Sequence, residues 1–114
     1  MKTLYLDHKT QIPYTEIIFF EHHNHYLPSL RRVTLLHTTT QIYILKDSIR
    51  GIYKVLDASI FMLPHQSFIV NMAYIKMFQQ LNMVLDNGIE IPISIKRSSY
   101  VRIQFLEYIK KETL

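Results

Sequence analysis

The chain has 114 residues, 48% of them hydrophobic, which is enough for one domain with its own core. It contains no cysteine, which excludes disulfides and thiolate metal sites, and no apolar run approaches the ~20 residues that span a bilayer. The net charge of +4 permits binding to nucleic acid without requiring it. With no signal-peptide pattern at its start, residues 1–114 are expected to form one soluble, cytoplasmic domain.

The first part of the chain predicts three strands. Residues 12–20 end in a continuous apolar run whose length and bulky side chains favour a buried strand. The polar residues that follow, from Glu21 to Ser29, indicate a loop. Leu30 to His37 predicts a second strand, and the alternating residues 42–45 predict its hairpin partner across a polar connection.

A short helix is predicted after this hairpin. Asp47-Ser48 resembles a helix N-cap, because short polar side chains there accept a hydrogen bond from the first turn. The apolar residues that follow have the i, i+3, i+4, i+7 spacing of one helical face: Ile49, Ile52, Tyr53 and Leu56.

The second half returns to β-structure. Short apolar runs at residues 61–63, 68–70 and 74–78 predict three strands. Asn87-Gly88 lies between two further apolar segments and predicts a type I′ hairpin turn, because Asn-Gly supplies its two positive φ angles. The isoleucines at every second position from 89 to 95 predict a closing strand with one buried and one exposed face.

Two further signals concern the end of the chain. Pro92 cannot donate a ladder hydrogen bond, so the closing strand is expected to lie at the edge of a sheet or to have an unpaired position there. Ser98 or Ser99 can cap a final helix. The buried stripe of that helix is expected to consist of Val101, Phe105 and Tyr108.

One segment carries a family resemblance. The stretch from Phe61 to Asn71, FMLPHQSFIVN, has the order aromatic, three spacers, His, polar, Ser, Phe, two aliphatics, Asn, and resembles the central signature of the LytTR family. Upstream, Ile17 to Glu21 is similar to the family's opening strand, which ends in an acidic residue. Downstream, Ile75 and the segment from Asn87 to Ser94 match an isoleucine and the closing hairpin of the family. The resemblance covers roughly residues 14–112.

The resemblance implies a fold and a partner. The fold would be mostly β, an elongated β-β-β sandwich of short strands with one or two short helices. The partner would be double-stranded DNA, bound at imperfect direct repeats, with loops rather than a recognition helix in successive major grooves and with bending of the duplex. The protein would then be a transcription regulator without a cofactor and without enzymatic activity, binding as a homodimer where the repeats pair two copies.

The resemblance also implies a context in signalling. Most family members are the output half of bacterial response regulators in two-component systems and follow a receiver domain. No receiver domain fits in 114 residues. The chain is therefore expected to be either an excised output domain, whose partner is a receiver domain in the full-length protein, or a stand-alone regulator.

The turn His65-Gln66-Ser67 is the first candidate DNA contact. In the family this turn enters a major groove and the residue after the His contacts a base, which implies that role for Gln66. Gln pairs bidentately with adenine N6 and N7, a discrimination of roughly 1–3 kcal/mol. His65 and Ser67 either contact DNA or only hydrogen-bond the turn, and the sequence leaves both open. Asn71 is expected to satisfy turn backbone groups.

A basic pair, Arg31 and Arg32, is the second candidate. It lies at the start of a predicted strand, after the loop that contains Pro28 and Ser29. Neighbouring strand residues point to opposite faces, so one arginine is expected to reach DNA and the other a phosphate or solvent. The alternative is that both are ordinary surface arginines.

The end of the closing strand is the third candidate. The resemblance implies that a basic residue just after Ser94 reaches a second major groove, with Ser94 as a phosphate contact. Ile95 stands directly after that serine, so Lys96 or Arg97 is expected to take this role. Arg suits guanine O6 and N7 best, whereas the alignment favours Lys96.

Other function classes have weaker support in the sequence. His22, His23 and His25 fall within four residues, but zinc sites need three or four converging ligands, and no Cys or HExxH motif accompanies them, so no metal site is predicted. No nucleophile motif or phosphate-binding loop is present. The alternatives are a β-sheet protein-interaction module without DNA binding, which would pair an exposed edge with a partner strand, and a metal-dependent hydrolase using the histidine-rich segment.

Overall fold

The computed structural model describes residues 2–24 and 32–113, with the side chains of Asn24 and Arg32 outside the description. The strands are β1 Thr3–Tyr5, β2 Gln11–Pro13, β3 Ile17–Asn24, β4 Arg32–Thr38, β5 Ile42–Leu45, β6 Phe61–His65, β7 Phe68–Asn71, β8 Ile75–Phe78, β9 Asn82–Leu85 and β10 Glu90–Pro92. The helices are α1 Ile49–Val55 and α2 Ser98–Thr113, and the 3-10 turns are Tyr14–Glu16, Met72–Tyr74 and Ile95–Arg97.

The strands form three antiparallel sheets. A central five-stranded sheet has the order β5-β4-β3-β7-β6, and it lies between the hairpin β1-β2 and a three-stranded sheet of order β10-β9-β8. The molecule is elongated, with extents of 43 × 32 × 25 Å. The predicted β-β-β sandwich with short helices is confirmed. The strand containing Pro92 lies at the edge of its sheet, as its missing N–H requires.

Strands β3, β7 and β6 of the central sheet are covered on both faces, and this explains their continuous apolar runs, whereas β5 leaves Ile42 and Ile44 exposed. Because successive strand residues point to opposite faces, Phe19 and Phe20 enter different cores, as do Phe61 and Met62. The core on one face, which we call the α1 core, contains Leu4, Ile12, Ile17, Phe20, Leu36, Ile49, Ile52, Leu56, Phe61 and Ile69. The core on the other face, the α2 core, contains Phe19, Met62, Val70, Met72, Ile75, Met83, Leu85, Ile91, Ile93 and Val101.

Helix α1 forms as the sequence predicts. Ser48 is its N-cap, and the serine side chain accepts a 3.0 Å hydrogen bond from the backbone N–H of Gly51. Ile49 and Ile52 are buried in the α1 core, as is Leu56 just beyond the last turn. The predicted apolar stripe therefore attaches this helix to the central sheet.

Helix α2 confirms its predicted stripe but not its predicted cap. Val101 is fully buried, and Phe105 and Tyr108 pack against the same core. The helix is entered directly from the 3-10 turn Ile95–Arg97, so Ser98 is already helical and neither it nor Ser99 caps the helix. The N-cap position of the 3-10 turn falls on Ser94, four residues before Ser98, and its side chain makes no capping hydrogen bond. Within the described ranges, no helix is long and apolar enough to cross a membrane.

Strand β3 corrects the predicted loop over residues 21–29, of which 25–29 lie outside the description. Glu21 to Asn24 continue the strand and pair with β4, and Glu21 also pairs with Phe68 of β7. Backbone hydrogen bonds on both sides hold a polar segment in a strand, and a hydrophobicity pattern does not register those bonds.

The β9–β10 connection corrects two expectations. Gly88 has φ 87°, and within the described residues no other residue has a positive φ, so the turn is not type I′. Gly88 N–H instead donates to the carbonyl of Leu85, as in a type I turn followed by a left-handed glycine. The closing strand ends at Pro92, so the alternation is lost: Ile91 and Ile93 are buried, whereas Ile95 is 80% exposed in a 3-10 turn.

Candidate nucleic-acid interface

The β6–β7 turn presents Gln66 to solvent. The strands pair His65 with Phe68, which leaves Gln66 and Ser67 as a two-residue turn. Gln66 is exposed, whereas both residues that flank the turn are half-buried and meet edge to face, with ring centroids 5.7 Å apart. The turn is further attached to the central sheet, because His22 N–H donates a 2.8 Å hydrogen bond to the carbonyl of Ser67. The exposed amide of Gln66 is therefore carried by a turn whose backbone is hydrogen-bonded to the central sheet.

His65 stabilises this turn through one ring nitrogen. The backbone N–H of Ser67 donates a 3.1 Å hydrogen bond to Nδ1 of His65. A backbone N–H can only donate, so Nδ1 must offer its lone pair and the neutral ring carries its proton on Nε2. Of the two roles left open by the sequence, the turn-stabilising role of His65 is present in the structure, and one N–H donor remains on Nε2.

The segment from Ser94 to Arg97 lies beside this turn. Ser94 N–H donates a 2.9 Å hydrogen bond to the carbonyl of Pro64 in β6, which connects the two segments through the main chain. The 3-10 turn then exposes Lys96, while Nη1 of Arg97 lies 3.5 Å from Oγ of Ser94. Ile93 and Val101, buried on either side of the segment, anchor it to the α2 core.

These two segments enclose one groove of about 620 Å³, which we call the Lys96 groove. Its lining is His65, Gln66, Ser94, Ile95, Lys96 and Arg97. Five predicted site residues thus converge from parts of the chain about thirty positions apart. The groove combines two cationic side chains with an amide and a hydroxyl, and no carboxylate lines it among the described residues. Such a surface can attract phosphates and donate to base edges.

A second groove of about 460 Å³ lies on the other side of the β6–β7 turn, and we call it the Arg50 groove. Its lining is His22, Val33, Thr34, Lys46, Asp47, Ser48, Ile49, Arg50, Gln66 and Ser67. The predicted site residue Ser67 lies here, and Gln66 lines both grooves. Sequence reasoning missed Lys46 and Arg50. A signal was available, because two basic residues four positions apart flank the predicted cap of α1.

The structure describes only the backbone of one residue of the arginine pair. Arg31 lies outside the described residues. The backbone of Arg32 starts β4 and pairs with Asn24, but its side chain is outside the description. The roles of both arginines therefore stay predictions.

The histidine-rich segment does not form a described metal site. His22 and His23 are consecutive residues of β3, so their side chains leave the sheet on opposite faces, and His25 lies outside the description. Within residues 2–24 and 32–113, no group of three His, Asp or Glu side chains is arranged to hold a metal ion. The side chain of His37 contacts the carboxylate of Glu21 through Nε2, and its ring stacks on that of Phe19 with the ring centroids 4.0 Å apart.

Comparisons with known proteins are consistent with this fold. The sequence model of the LytTr DNA-binding domain family matches residues 7–105. Among solved structures, the chain is similar to the LytTr DNA-binding domain of a response regulator from Bacillus cereus, with 21% identity and a TM-score of 0.69 over 91% of this chain and 96% of that one. At this identity the likeness concerns the fold. The search of curated proteins found no significant match.

Proposed function

This chain belongs to the LytTR family of DNA-binding domains, and on that basis we propose that it is a sequence-specific transcription regulator that reads DNA with turns between strands. The family's domain binds DNA, and the proposal assigns this binding to particular residues. The observation that carries it is the Lys96 groove, in which an exposed amide and two cationic side chains converge.

The groove supports a division of roles among its side chains. Gln66, at the tip of a fixed two-residue turn, is suited to pair with adenine in a major groove. Lys96 and Arg97 supply the positive charge for the next contact, with Arg97 better suited to guanine and Lys96 better exposed. The hydroxyl of Ser94 and Nε2 of His65 can donate to phosphates.

The wider arrangement on DNA follows the family. We propose that two copies occupy imperfect direct repeats and bend the duplex, and that in a response regulator a receiver domain controls this binding. Of Arg31 and Arg32, one would reach the DNA and the other a phosphate or solvent. The protein would act in the bacterial cytoplasm and would have no catalytic role.

The test is a selection of binding sites from random duplexes with the purified protein. We expect an enriched motif, and we expect Gln66→Ala to relax one position of it by roughly 1–3 kcal/mol of discrimination. Lys96→Ala should weaken binding to the motif, whereas Lys110→Ala, near the end of α2, serves as a matched control. If the wild-type protein enriches no motif, the proposal is wrong and the interaction-module alternative gains support.

A further inference from the structure

We propose that the Arg50 groove is a second binding site for DNA phosphates, with Lys46 and Arg50 as its cationic contacts. This inference rests on the proposed function and extends it to residues outside the Lys96 groove. The duplex backbone would then be held on both sides of the β6–β7 turn.

The two grooves share a lining residue of the β6–β7 turn. Gln66 lines both of them, so the β6–β7 turn forms a ridge with a concave surface on each side. A residue at the tip of this ridge can enter a major groove only if the flanking phosphates are accommodated beside the ridge. The Lys96 groove accepts the phosphates on one side, and the Arg50 groove is the surface available on the other.

Cationic side chains outnumber carboxylates in the lining of the Arg50 groove. Lys46 and Arg50 are exposed, and neither forms an ion pair with any residue in the described part of the chain. Asp47 is the one carboxylate among the residues that line the Arg50 groove. Lys54 follows Arg50 by four positions on α1, which places it on the same helical face and extends the positive surface. Unpaired cations gathered on a concave surface attract a polyanion.

The backbone that carries these cations is attached to the central sheet. Oγ1 of Thr34, a buried β4 residue, donates a 2.7 Å hydrogen bond to the carbonyl of Asp47. Ser48 caps the helix, and Ile49 anchors it in the α1 core. The segment that carries Lys46 and Arg50 is therefore tied to the same central sheet that carries the β6–β7 turn, so the distance between the two contacts is set by the fold.

The chemistry of the lining favours phosphates over bases. Among the lining side chains outside the β6–β7 turn, the hydroxyls of Thr34 and Ser48 are engaged in the hydrogen bonds just described. Lys46 offers a point charge and Arg50 a planar donor set, and both bind phosphate oxygens without sequence preference. We therefore expect this groove to strengthen binding to every sequence alike.

The experiment compares Lys46→Gln/Arg50→Gln with Lys110→Gln/Lys111→Gln, which removes the same charge from the last turn of α2. Affinity for the selected motif and for a mixed-sequence duplex is measured from 50 to 300 mM salt, after circular dichroism has established that each variant is folded. For the groove variant we expect roughly tenfold weaker binding to both duplexes and a salt slope lower by about 0.9 per lost contact. The control should keep the wild-type slope, and Arg50→Lys should keep most of the affinity.

The outcomes separate this inference from the proposed function. If the wild-type protein selects a motif but the groove variant behaves like its control, the second site is wrong and the proposed function stands. If no motif is selected but the variant weakens binding to mixed-sequence duplex, the second site stands without sequence reading. A wild-type protein that binds no duplex overturns both, and an altered motif in the groove variant shows base contact and overturns the phosphate assignment.

Discussion

The two faces of the central sheet carry different cores, and each core supports a different part of the proposed DNA-binding surface. The α1 core holds helix α1 and with it Lys46 and Arg50, whereas the α2 core holds Ile93 and Val101 on either side of Lys96. Strands β6 and β7 contribute to both cores, and the turn between them lies between the two grooves. The proposed binding groups come from distant parts of the sequence, and one sheet, whose strands β3, β7 and β6 are buried on both faces, aligns them.

The two cores also differ in composition, and this difference predicts unequal responses to truncation. Phe61 is fully buried in the α1 core and contacts Tyr14 edge to face at 4.9 Å. Phe61→Ala should lower the free energy of unfolding by about 4 kcal/mol, because the ring leaves a large cavity. Chemical denaturation measures the loss. A loss below 2 kcal/mol would show that the α1 core collapses around the cavity and is not tightly packed.

Met62, the next residue of the same strand, tests the opposite core. It is fully buried beside two other methionines, Met72 and Met83. We expect Met62→Ala to cost about 3 kcal/mol of unfolding free energy, since less volume is lost, and Met62→Leu less than about 1.5 kcal/mol. The same denaturation series gives both values. Equal costs for Leu and Ala would contradict the expectation that this core accommodates a residue of similar volume.

Asn71 lies where strand β7 meets the Met72–Tyr74 turn. Its Nδ2 donates to the carbonyls of Tyr14 and Ile17, at 3.0 and 2.8 Å, and its Oδ1 accepts from the N–H of Ala73. Asn71→Ala leaves these backbone groups without their partner and should cost about 2 kcal/mol of unfolding free energy. Asn71→Asp keeps the acceptor but loses both donated bonds, so its thermal stability should also fall below that of the wild type. A wild-type melting temperature for both variants would show that water replaces the side chain.

Substitution of Gly88, in the β9–β10 connection, should lower the free energy of unfolding by a smaller amount. An added Cβ would meet no atom within 4 Å, so Gly88→Ala is opposed only by the positive φ of 87°. The left-handed conformation costs an alanine about 1–2 kcal/mol, which denaturation should detect. Gly88 lines neither groove, so affinity for DNA should not change under conditions where the variant is folded. A change in affinity would show that the β9–β10 hairpin controls the Lys96 groove.

Much of this architecture was predictable because its strands and helices follow hydrophobic periodicity. The α1 stripe, the hairpin β4–β5 and the edge position of Pro92 are confirmed, and each depends on local rules. The errors have a different physical origin. The polar end of β3 and the segment from Ser94 into α2 depend on hydrogen bonds to residues that are distant in sequence. The β9–β10 turn depends on a choice between two turn conformations that both suit glycine.

The candidate site shows the same limit. Family signature residues identified the turn around Gln66 and the segment around Lys96, but only the structure brings them into one groove. Lys46 and Arg50 were missed, because a basic residue beside a helix cap is ordinarily a solvated one. They line the same groove as Gln66, which is distant from them in sequence. A hydrophobic periodicity describes residues that are close in sequence, so it does not predict this proximity.

The hydrogen bond from Ser94 N–H to the carbonyl of Pro64 has an evolutionary consequence. It joins the two walls of the Lys96 groove through atoms that nearly every amino acid possesses, so exchanging the exposed side chains leaves the spacing of the walls intact. If Gln66 and Lys96 read bases as proposed, a descendant of this protein could acquire a new operator by replacing either residue alone, without rebuilding its scaffold. The side chains that would contact DNA can therefore change while the backbone shape of the groove is preserved.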